Sequence, residues 1–234
     1  MTSESFSQRA AARGTLYVAA GLEDEALRLG LDRGPGWERL LAAGDGATGR
    51  GASAVVARGA GPAWRLKRMR RGGLTARLWG DRYPFPGRLV AMLAASGEAR
   101  RRGIATPAAV ALLVERDAFP LVRGFLATEE IAGAEDLARR ARRGALSEAD
   151  VAAAMRAVRR MHDAGMDHPD LNLGNILVGP EGAHVIDLDR VTFEAGPLSR
   201  ARRERALTRL ARSSVKITGS EGLWHDAYRE ERPS

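Results

Sequence analysis

The stretch HPDLNLGNILVGPEGAHVIDLDR, residues 168–190, decides the fold that we expect for this chain. Two short apolar runs, 176–178 and 184–186, stand on either side of a Gly-Pro-Glu-Gly turn, and this pattern predicts a β-hairpin. Asp170 and Asn175 precede the hairpin, and Asp187 follows its second strand. A hairpin brings its two ends together, so Asn175 and Asp187 are expected on the same side.

The polar residues around this hairpin have the types and spacing that phosphoryl transfer needs. Asp170 and Asn175 match the D-x-x-x-x-N spacing of a kinase catalytic loop, with His168 two residues before the aspartate. We interpret Asp170 as the base that accepts the proton of the acceptor hydroxyl. Asn175 and Asp187 offer the hard oxygen ligands that Mg²⁺ prefers. The alternative is an Asx-rich turn beside a strand end, without chemistry. We expect a structural role for His168, in contact with the Asp187 region.

Residues 15–130 have the pattern of a sheet-rich lobe. The segment 44–69 predicts three strands separated by Gly-rich turns, and 107–114 and 121–128 predict two more. Residues 88–102, rich in Ala, Leu and Met, predict one helix that is capped by Gly103. Before this lobe, residues 1–14 are polar and are expected to be flexible.

Residues 131–234 have the pattern of a mainly helical lobe. A helix is predicted to begin at Ser147, with Asp150 three residues later as a weak capping box, and to end near Gly165. A basic helix is predicted over 197–217. The residues expected to face the core from these two helices are Val151, Met155, Val158, His162, Leu207, Leu210 and Val215. The predicted fold class is therefore α+β, a protein-kinase-like fold of two lobes.

Three residues of the first lobe are candidates for binding the nucleotide phosphates, and a fourth is the candidate partner of the lysine among them. Lys67 ends a predicted strand and is the candidate for the phosphate-contacting lysine; the competing interpretation is that it is one of several surface cations. Gly49 and Gly51 offer backbone N–H groups without side chains in the way, as in a phosphate-binding loop. Glu98 is the acidic residue on the following helix that we assign as the ion-pair partner of Lys67.

Two further regions complete the candidate site. Glu129, Glu130 and Ile131 are expected in the segment that connects the two lobes. Backbone atoms of this segment would bind adenine. Three arginine clusters, 100–102, 139–143 and 200–205, are either solvated faces or the place where acceptor phosphates and carboxylates dock.

Several of these segments resemble the lipopolysaccharide kinase family. HPDLNLGNILV and VIDLDR are similar to the DLN-x-x-N-IL and IDFDR-type motifs of that family. LKRMRRGGL (66–74), LATEEI (126–131) and ALTRLARSSVK (206–216) are similar to three further family segments, so the resemblance runs from about residue 49 to residue 216. The RRGG and RLxRS elements favour the branch that phosphorylates 3-deoxy-D-manno-octulosonic acid (Kdo) over the heptose kinases.

The resemblance implies a kinase that uses ATP and Mg²⁺ and acts on a sugar hydroxyl of the lipopolysaccharide inner core. The implied acceptor is an anionic glycolipid, Kdo-lipid A or the core, at the cytoplasmic face of the inner membrane. A net charge of +8 agrees with an anionic partner, because basic residues are attracted to anionic membrane surfaces. A GC-rich genome, which enriches proteins in Ala, Gly and Arg, would explain the same charge.

The amino-acid composition bears on disulfides, metal sites, nucleic-acid binding and membrane insertion. The chain has no cysteine, which excludes disulfides and thiolate metal sites. Aromatic residues make up 5% of the chain, which argues against nucleic acid as a partner. The apolar runs are too short to span a bilayer, so we expect a cytoplasmic protein associated peripherally with the membrane. The alternatives are another small-molecule or protein kinase of the same fold, and a pseudokinase scaffold without activity.

Overall fold

The computed structural model describes residues 6–44, 53–70, 80–222 and 224–230. The chain divides into two units, which are Met1–Gly97 with Ala108–Glu130 and Glu98–Pro107 with Ile131–Ser234. The segment Glu98–Pro107, which was expected in the first lobe, therefore groups with the second unit.

A seven-stranded antiparallel sheet forms the centre of the first unit, counted over the described residues. Its order is β1-β2-β6-β7-β4-β3, with β5 paired to β7. The strands are β1 (Phe6–Ala11), β2 (Gly14–Ala19), β3 (Ser53–Val56), β4 (Trp64–Arg68), β5 (Arg82–Tyr83), β6 (Ala109–Arg116) and β7 (Val122–Glu129).

Helices cover both faces of this sheet. Helices α1 (Glu23–Arg28) and α2 (Gly34–Ala43) pack on one face, where Trp37 of α2 stacks on Phe125 with ring centroids 5.7 Å apart. Helix α3 (Gly87–Arg101) covers the other face with Leu89 and its apolar neighbours. The predicted helix 88–102 and the strands 107–114 and 121–128 are confirmed within two residues at each end.

Two expectations for the first unit were wrong. Part of the segment expected to be flexible, 1–14, forms β1, which pairs with β2 from Phe6 opposite Ala19 to Ala11 opposite Gly14. One helix was expected, yet α1 and α2 are also present. β1 is polar and largely solvent-facing, so its stability comes from pairing with β2, which no local pattern displays. The first strand predicted within 44–69 falls in 45–52, outside the described residues.

The second unit is mainly helical and carries small sheets. Its helices are α4 (Leu137–Arg142), α5 (Glu148–Asp163), α6 (Arg200–Thr218) and α7 (Trp224–Glu230). Its strands are β8 (Glu135–Asp136), β9 (Met166–Asp167), β10 (Ile176–Gly179), β11 (Gly182–Val185) and β12 (Thr192–Phe193). They form a sheet of order β11-β10-β8 and a separate pair, β12 with β9.

The predicted start of α5 is confirmed. The Ser147 hydroxyl accepts the Asp150 N–H at 3.1 Å, and the Asp150 carboxylate accepts the Ser147 N–H at 3.0 Å, so the capping box is complete. The expected core positions of α5 and α6 are buried or partly buried with one exception, because Val215 is 42% exposed. The buried stripe of α6 instead continues through Ala211 to Ser214, and Val215 lies about 100° further round the helix.

The predicted hairpin is confirmed as β10 and β11. Ile176 pairs with Val185 and Gly179 with Gly182, which leaves Pro180 and Glu181 as the turn. Among the helices that the structure describes, none combines the length and the apolar character that crossing a bilayer requires.

Candidate active site

His168 joins the two chain segments that carry the predicted acidic residues. It is fully buried directly after β9, and its Nδ1 accepts the N–H of Asp170 at 3.3 Å. The proton must then lie on Nε2, which donates to the carbonyl oxygen of Ile186 at 3.1 Å. Burial lowers the pKa of His168, so the ring is neutral. The structural role expected for His168 is confirmed.

The backbone carbonyl of Asp170 is the centre of the loop. It accepts the side-chain amides of Asn172 at 2.8 Å and of Asn175 at 2.9 Å. The Asn172 oxygen in turn accepts the N–H of Gly174 at 2.9 Å, which forms the Asx turn that opens the 3₁₀ turn Leu173–Asn175. The loop is thus held around Asp170 by its own amides, while Asp170 itself is exposed to solvent.

The hairpin brings Asn175 next to the segment that ends in Asp187. The Asn175 carbonyl accepts the N–H of Ile186 at 2.9 Å, which extends the β10–β11 ladder by one bond. Asp187 then leaves the strand with φ of 62°, a left-handed conformation that aspartate tolerates better than most residues. Asp170 and Asn175 are therefore joined by a hydrogen bond, and Asn175 and His168 both bond to Ile186, the residue before Asp187.

The donor set of this network suits a magnesium ion. Because the Asn175 nitrogen is committed to the Asp170 carbonyl, the amide is oriented with its oxygen as the remaining ligand atom. Together with the carboxylate of Asp187 this provides only hard oxygen donors. No cluster of three or more His, Cys, Asp or Glu side chains that could hold a metal is found in the described part of the chain.

Helix α6 holds the loop that carries Asp170 through hydrogen bonds to its backbone, a role that the sequence analysis did not predict. Arg209 donates to the carbonyl of His168 at 3.0 Å and lies 3.7 Å from the Asp167 carboxylate. The Ser213 hydroxyl accepts the N–H of Leu173 at 3.2 Å. Both residues fall in the segment ALTRLARSSVK, whose similarity to the family was visible in the sequence but indicated no contact.

Lys67 lies on the face of the first unit's sheet that α3 covers. In β4 the side chains alternate, and Leu66 is buried on the opposite face, against α1 and α2. Lys67 stands across from Leu126, which packs with residues of α3. The two glycines of the predicted phosphate loop, Gly49 and Gly51, lie outside the described residues.

Glu98 is engaged by its own helix. Arg101 and Arg102 both donate to its carboxylate, one to each oxygen, and these hydrogen bonds lower the pKa of Glu98. This engagement argues against the assignment of Glu98 as the partner of Lys67. The i, i+3 and i, i+4 spacings explain the pairing without any wider role.

The predicted adenine-binding residues lie at the end of β7. The N–H of Glu129 donates to the Ala108 carbonyl at 2.9 Å, and the N–H of Glu130 donates to the Ala63 carbonyl at 2.8 Å. The Glu130 carboxylate holds Arg65 through two hydrogen bonds of 2.5 and 2.6 Å. The Glu130 side chain is thus bonded to another residue of the first unit. Ile131 is the first residue of the longer segment of the second unit, and its carbonyl accepts the N–H of Ala134 at 3.1 Å.

Many members of the three arginine clusters are tied to acidic side chains. Besides Arg101 and Arg102, Arg140 pairs with Asp150 at 2.5 Å and Arg203 with Asp163 at 2.6 Å. Many arginines of the basic surface therefore form ion pairs within the fold.

A sheet unit followed by a helical unit, with a D-x-x-x-x-N loop and a hairpin that ends in aspartate, defines a protein-kinase-like phosphotransferase. A solved structure of WaaP in complex with acyl carrier protein has the same fold, with a TM-score of 0.53 over 93% of this chain and 89% of that one, at 22% identity. The model of the lipopolysaccharide kinase (Kdo/WaaP) family matches residues 37–229. The chain belongs to the lipopolysaccharide kinase (Kdo/WaaP) family.

Sequence relatives agree with this placement. The chain is 35% identical to the 3-deoxy-D-manno-octulosonic acid kinase of Xylella fastidiosa (strain M12), over 81% of this chain and 76% of the relative. It is 30% identical to the enzyme of that name from Vibrio cholerae, over 68% of each, and 34% identical to that of Photobacterium profundum, over 69% of each. The chain is therefore a member of a kinase family.

Proposed function

We propose that this protein transfers the γ-phosphoryl group of ATP to a hydroxyl of Kdo in the lipopolysaccharide inner core, with Kdo-lipid A as the acceptor. The names of its relatives support the acceptor, and the family supports the reaction class. The observation that carries the proposal is that Asp170 and Asn175 are hydrogen-bonded to each other and that Asn175 and His168 hold Ile186, the residue before Asp187.

In this proposal Asp170 receives the proton of the acceptor hydroxyl. Its carboxylate is exposed, while its backbone is held by His168, Asn172 and Asn175, so the group meets substrate from a fixed loop. The Asn175 amide oxygen and the Asp187 carboxylate would hold Mg²⁺. When bound, the ion neutralises charge on the nucleotide phosphates.

On the nucleotide side, Lys67 contacts the phosphates and the backbone of Gly49 and Gly51 approaches them. Adenine binds to backbone atoms of 129–131. Since the N–H groups of Glu129 and Glu130 and the carbonyl of Ile131 are already bonded, the N–H of Ile131 and the carbonyls of Glu129 and Glu130 are the atoms that we assign to adenine. Glu98 has no part in this scheme.

The acceptor is a lipid, so the enzyme is proposed to work at the cytoplasmic surface of the inner membrane. The net charge of +8 supports attraction to an anionic surface. No step of the proposal requires nucleic acid.

The test is transfer of ³²P from γ-labelled ATP to Kdo-lipid A by the full chain, compared with Asp170→Asn. We expect the variant to lose about 10²–10⁴-fold in turnover. Asp163→Asn is the matched control, because Asp163 is an exposed aspartate of the same unit that pairs with Arg203. It should retain activity.

The same assay separates the alternatives. Labelling of heptosylated core or of protein, but not of Kdo-lipid A, would retain a kinase and change its acceptor. If no acceptor is labelled and Asp170→Asn binds ATP and lipid as the wild type does, the protein is a scaffold and the proposal fails.

A further inference from the structure

Two phenylalanines of the first unit stand out into solvent at one end of its sheet. Phe119 is fully exposed in the turn between β6 and β7, and Phe85 is 69% exposed in the segment between β5 and α3. The β5–β7 ladder joins the two segments, since Tyr83 pairs with Val122. Each phenylalanine is within three residues of that pair, so both project from the same end of the sheet. We call residues 84–86 and 117–121 the phenylalanine tip.

Part of the backbone of the phenylalanine tip has no N–H or is already hydrogen-bonded. Pro84, Pro86 and Pro120 carry no N–H. In the β6–β7 turn the N–H of Asp117 donates to the Leu121 carbonyl at 3.0 Å, and the N–H of Leu121 donates to the Ala118 carbonyl. The Pro86 carbonyl accepts the N–H groups of Leu89 and Val90 at 2.9 and 3.1 Å. These bonds and the three prolines lower the cost of desolvating the tip in a less polar medium.

Basic side chains surround the phenylalanine tip. Arg13, in the β1–β2 turn, accepts the N–H of Arg116 on its carbonyl at 2.6 Å and donates its guanidinium to the Asp117 carbonyl at 3.3 Å. Arg82 and Arg123 both pair with the Asp117 carboxylate. We call the arginines around the tip its rim; they are Arg13, Arg82, Arg88, Arg116 and Arg123. They outnumber the two aspartates that lie among them, Asp81 and Asp117.

Glu115 does not change this balance at the tip. Its carboxylate is turned to the start of α2, where it accepts the N–H of Gly34 at 3.2 Å. Strand alternation places Glu115 and Arg116 on opposite faces of the sheet.

We propose that the phenylalanine tip is the surface through which this protein docks on a bilayer that contains anionic lipid. Aromatic side chains enter the boundary between headgroups and acyl chains, and a rim of arginines meets the anionic headgroups. Charge complementarity favours a lipid surface over a second copy of this basic chain. The inference rests on the proposed function, which places the acceptor in a membrane, and adds the part of the molecule that reaches it.

The experiment is co-sedimentation of the full chain with vesicles of phosphatidylcholine and phosphatidylglycerol, compared with Phe85→Ser/Phe119→Ser. We expect the double variant to bind the vesicles at least about tenfold more weakly, because two apolar side chains no longer enter the interface. Val215→Ser is the matched control, since Val215 is an exposed apolar residue of α6, and its binding should be unchanged. Arg13→Glu/Arg116→Glu should weaken binding to these vesicles and lose its effect on pure phosphatidylcholine vesicles.

Activity on Kdo-lipid A dispersed in detergent separates this inference from the proposed function. The double phenylalanine variant should keep wild-type turnover there and lose it only when the acceptor is embedded in vesicles. Unchanged vesicle binding by the double variant would overturn the docking surface and leave the kinase proposal intact. A wild-type dimer in solution that the double variant converts to a monomer would also overturn it, by assigning the tip to a second copy of the chain.

Discussion

The Nε2 of His168 lies 3.1 Å from the carbonyl oxygen of Ile186, so a single buried ring connects the loop of Asp170 to the residue before Asp187. The bond is made inside the unit, away from solvent, and the N–H of Asp170 closes the other side of the ring. The backbone at the proposed base and the backbone next to the proposed metal ligand are thus bonded to the same imidazole, to which we assign no proton-transfer role.

His168→Phe tests this connection. The substitution fills the volume but leaves the Ile186 carbonyl and the Asp170 N–H without their partner, so we expect a loss of about 1–3 kcal/mol in the free energy of unfolding. Turnover should fall as well, because the loop is no longer held. Urea denaturation and steady-state kinetics measure the two effects. His184→Phe is the matched control, because the Nδ1 of His184 has no hydrogen-bond partner within the described residues; equal losses in both variants would contradict the role of His168.

Stability should fall as the pH drops below about 6.5. Burial, with Arg203, Arg209 and Arg159 adding repulsion, lowers the pKa of His162 to about 3. The unfolded chain therefore takes up a proton at this residue near pH 6.5 while the folded chain does not, and the folded state loses about 1.4 kcal/mol for each pH unit. His168 adds to the loss in the same direction, because burial also lowers its pKa.

The measurement is the free energy of unfolding between pH 7 and pH 5, above the range in which most carboxylates titrate. His162→Gln, which can still bond to the Tyr228 hydroxyl that His162 contacts at 2.9 Å, should show a shallower slope. A slope that is identical in the wild type and in this variant would exclude His162 as its source.

Arg209 should support catalysis without touching substrate. Arg209→Lys retains the charge but loses the planar group that donates to the His168 carbonyl. We expect kcat to fall about tenfold with little change in the KM for ATP, since the loop of Asp170 is displaced while the nucleotide-binding unit is untouched. Arg212→Lys, an exposed position on the same helix, is the control. A change confined to KM would argue against a role in positioning the loop.

Lys67 and Glu98 should behave independently. Lys67→Met is expected to lower kcat/KM for ATP by about 10²-fold or more, because it removes the positive charge that we assign to the nucleotide phosphates. Glu98→Gln should change kcat/KM by only a few fold and alter mainly the pairing with Arg101 and Arg102. Comparable losses in the two single variants and no further loss in the double variant would restore the ion pair that we assigned from the sequence.

The parts of the fold that could be predicted are those whose signals are local. The turn residues Gly179 to Gly182, the capping residues Ser147 and Asp150, and the apolar periods of β6, β7 and α5 all act within a few positions of the chain. The residue types of the candidate site followed from the spacing of Asp170 and Asn175. Their roles stay predictions.

The parts that could not be predicted depend on partners that are distant in the chain. β1 forms because β2 offers a register to pair with, and Val215 is exposed because α6 turns a neighbouring stripe to the core. The sequence by itself determined which groups are available for chemistry and that a hairpin would bring Asn175 beside Asp187. Only the tertiary structure decided that α6 holds the loop through Arg209 and that Glu98 is taken by its own helix, because hydrogen bonds select partners by distance and direction, which spacing along a chain does not specify.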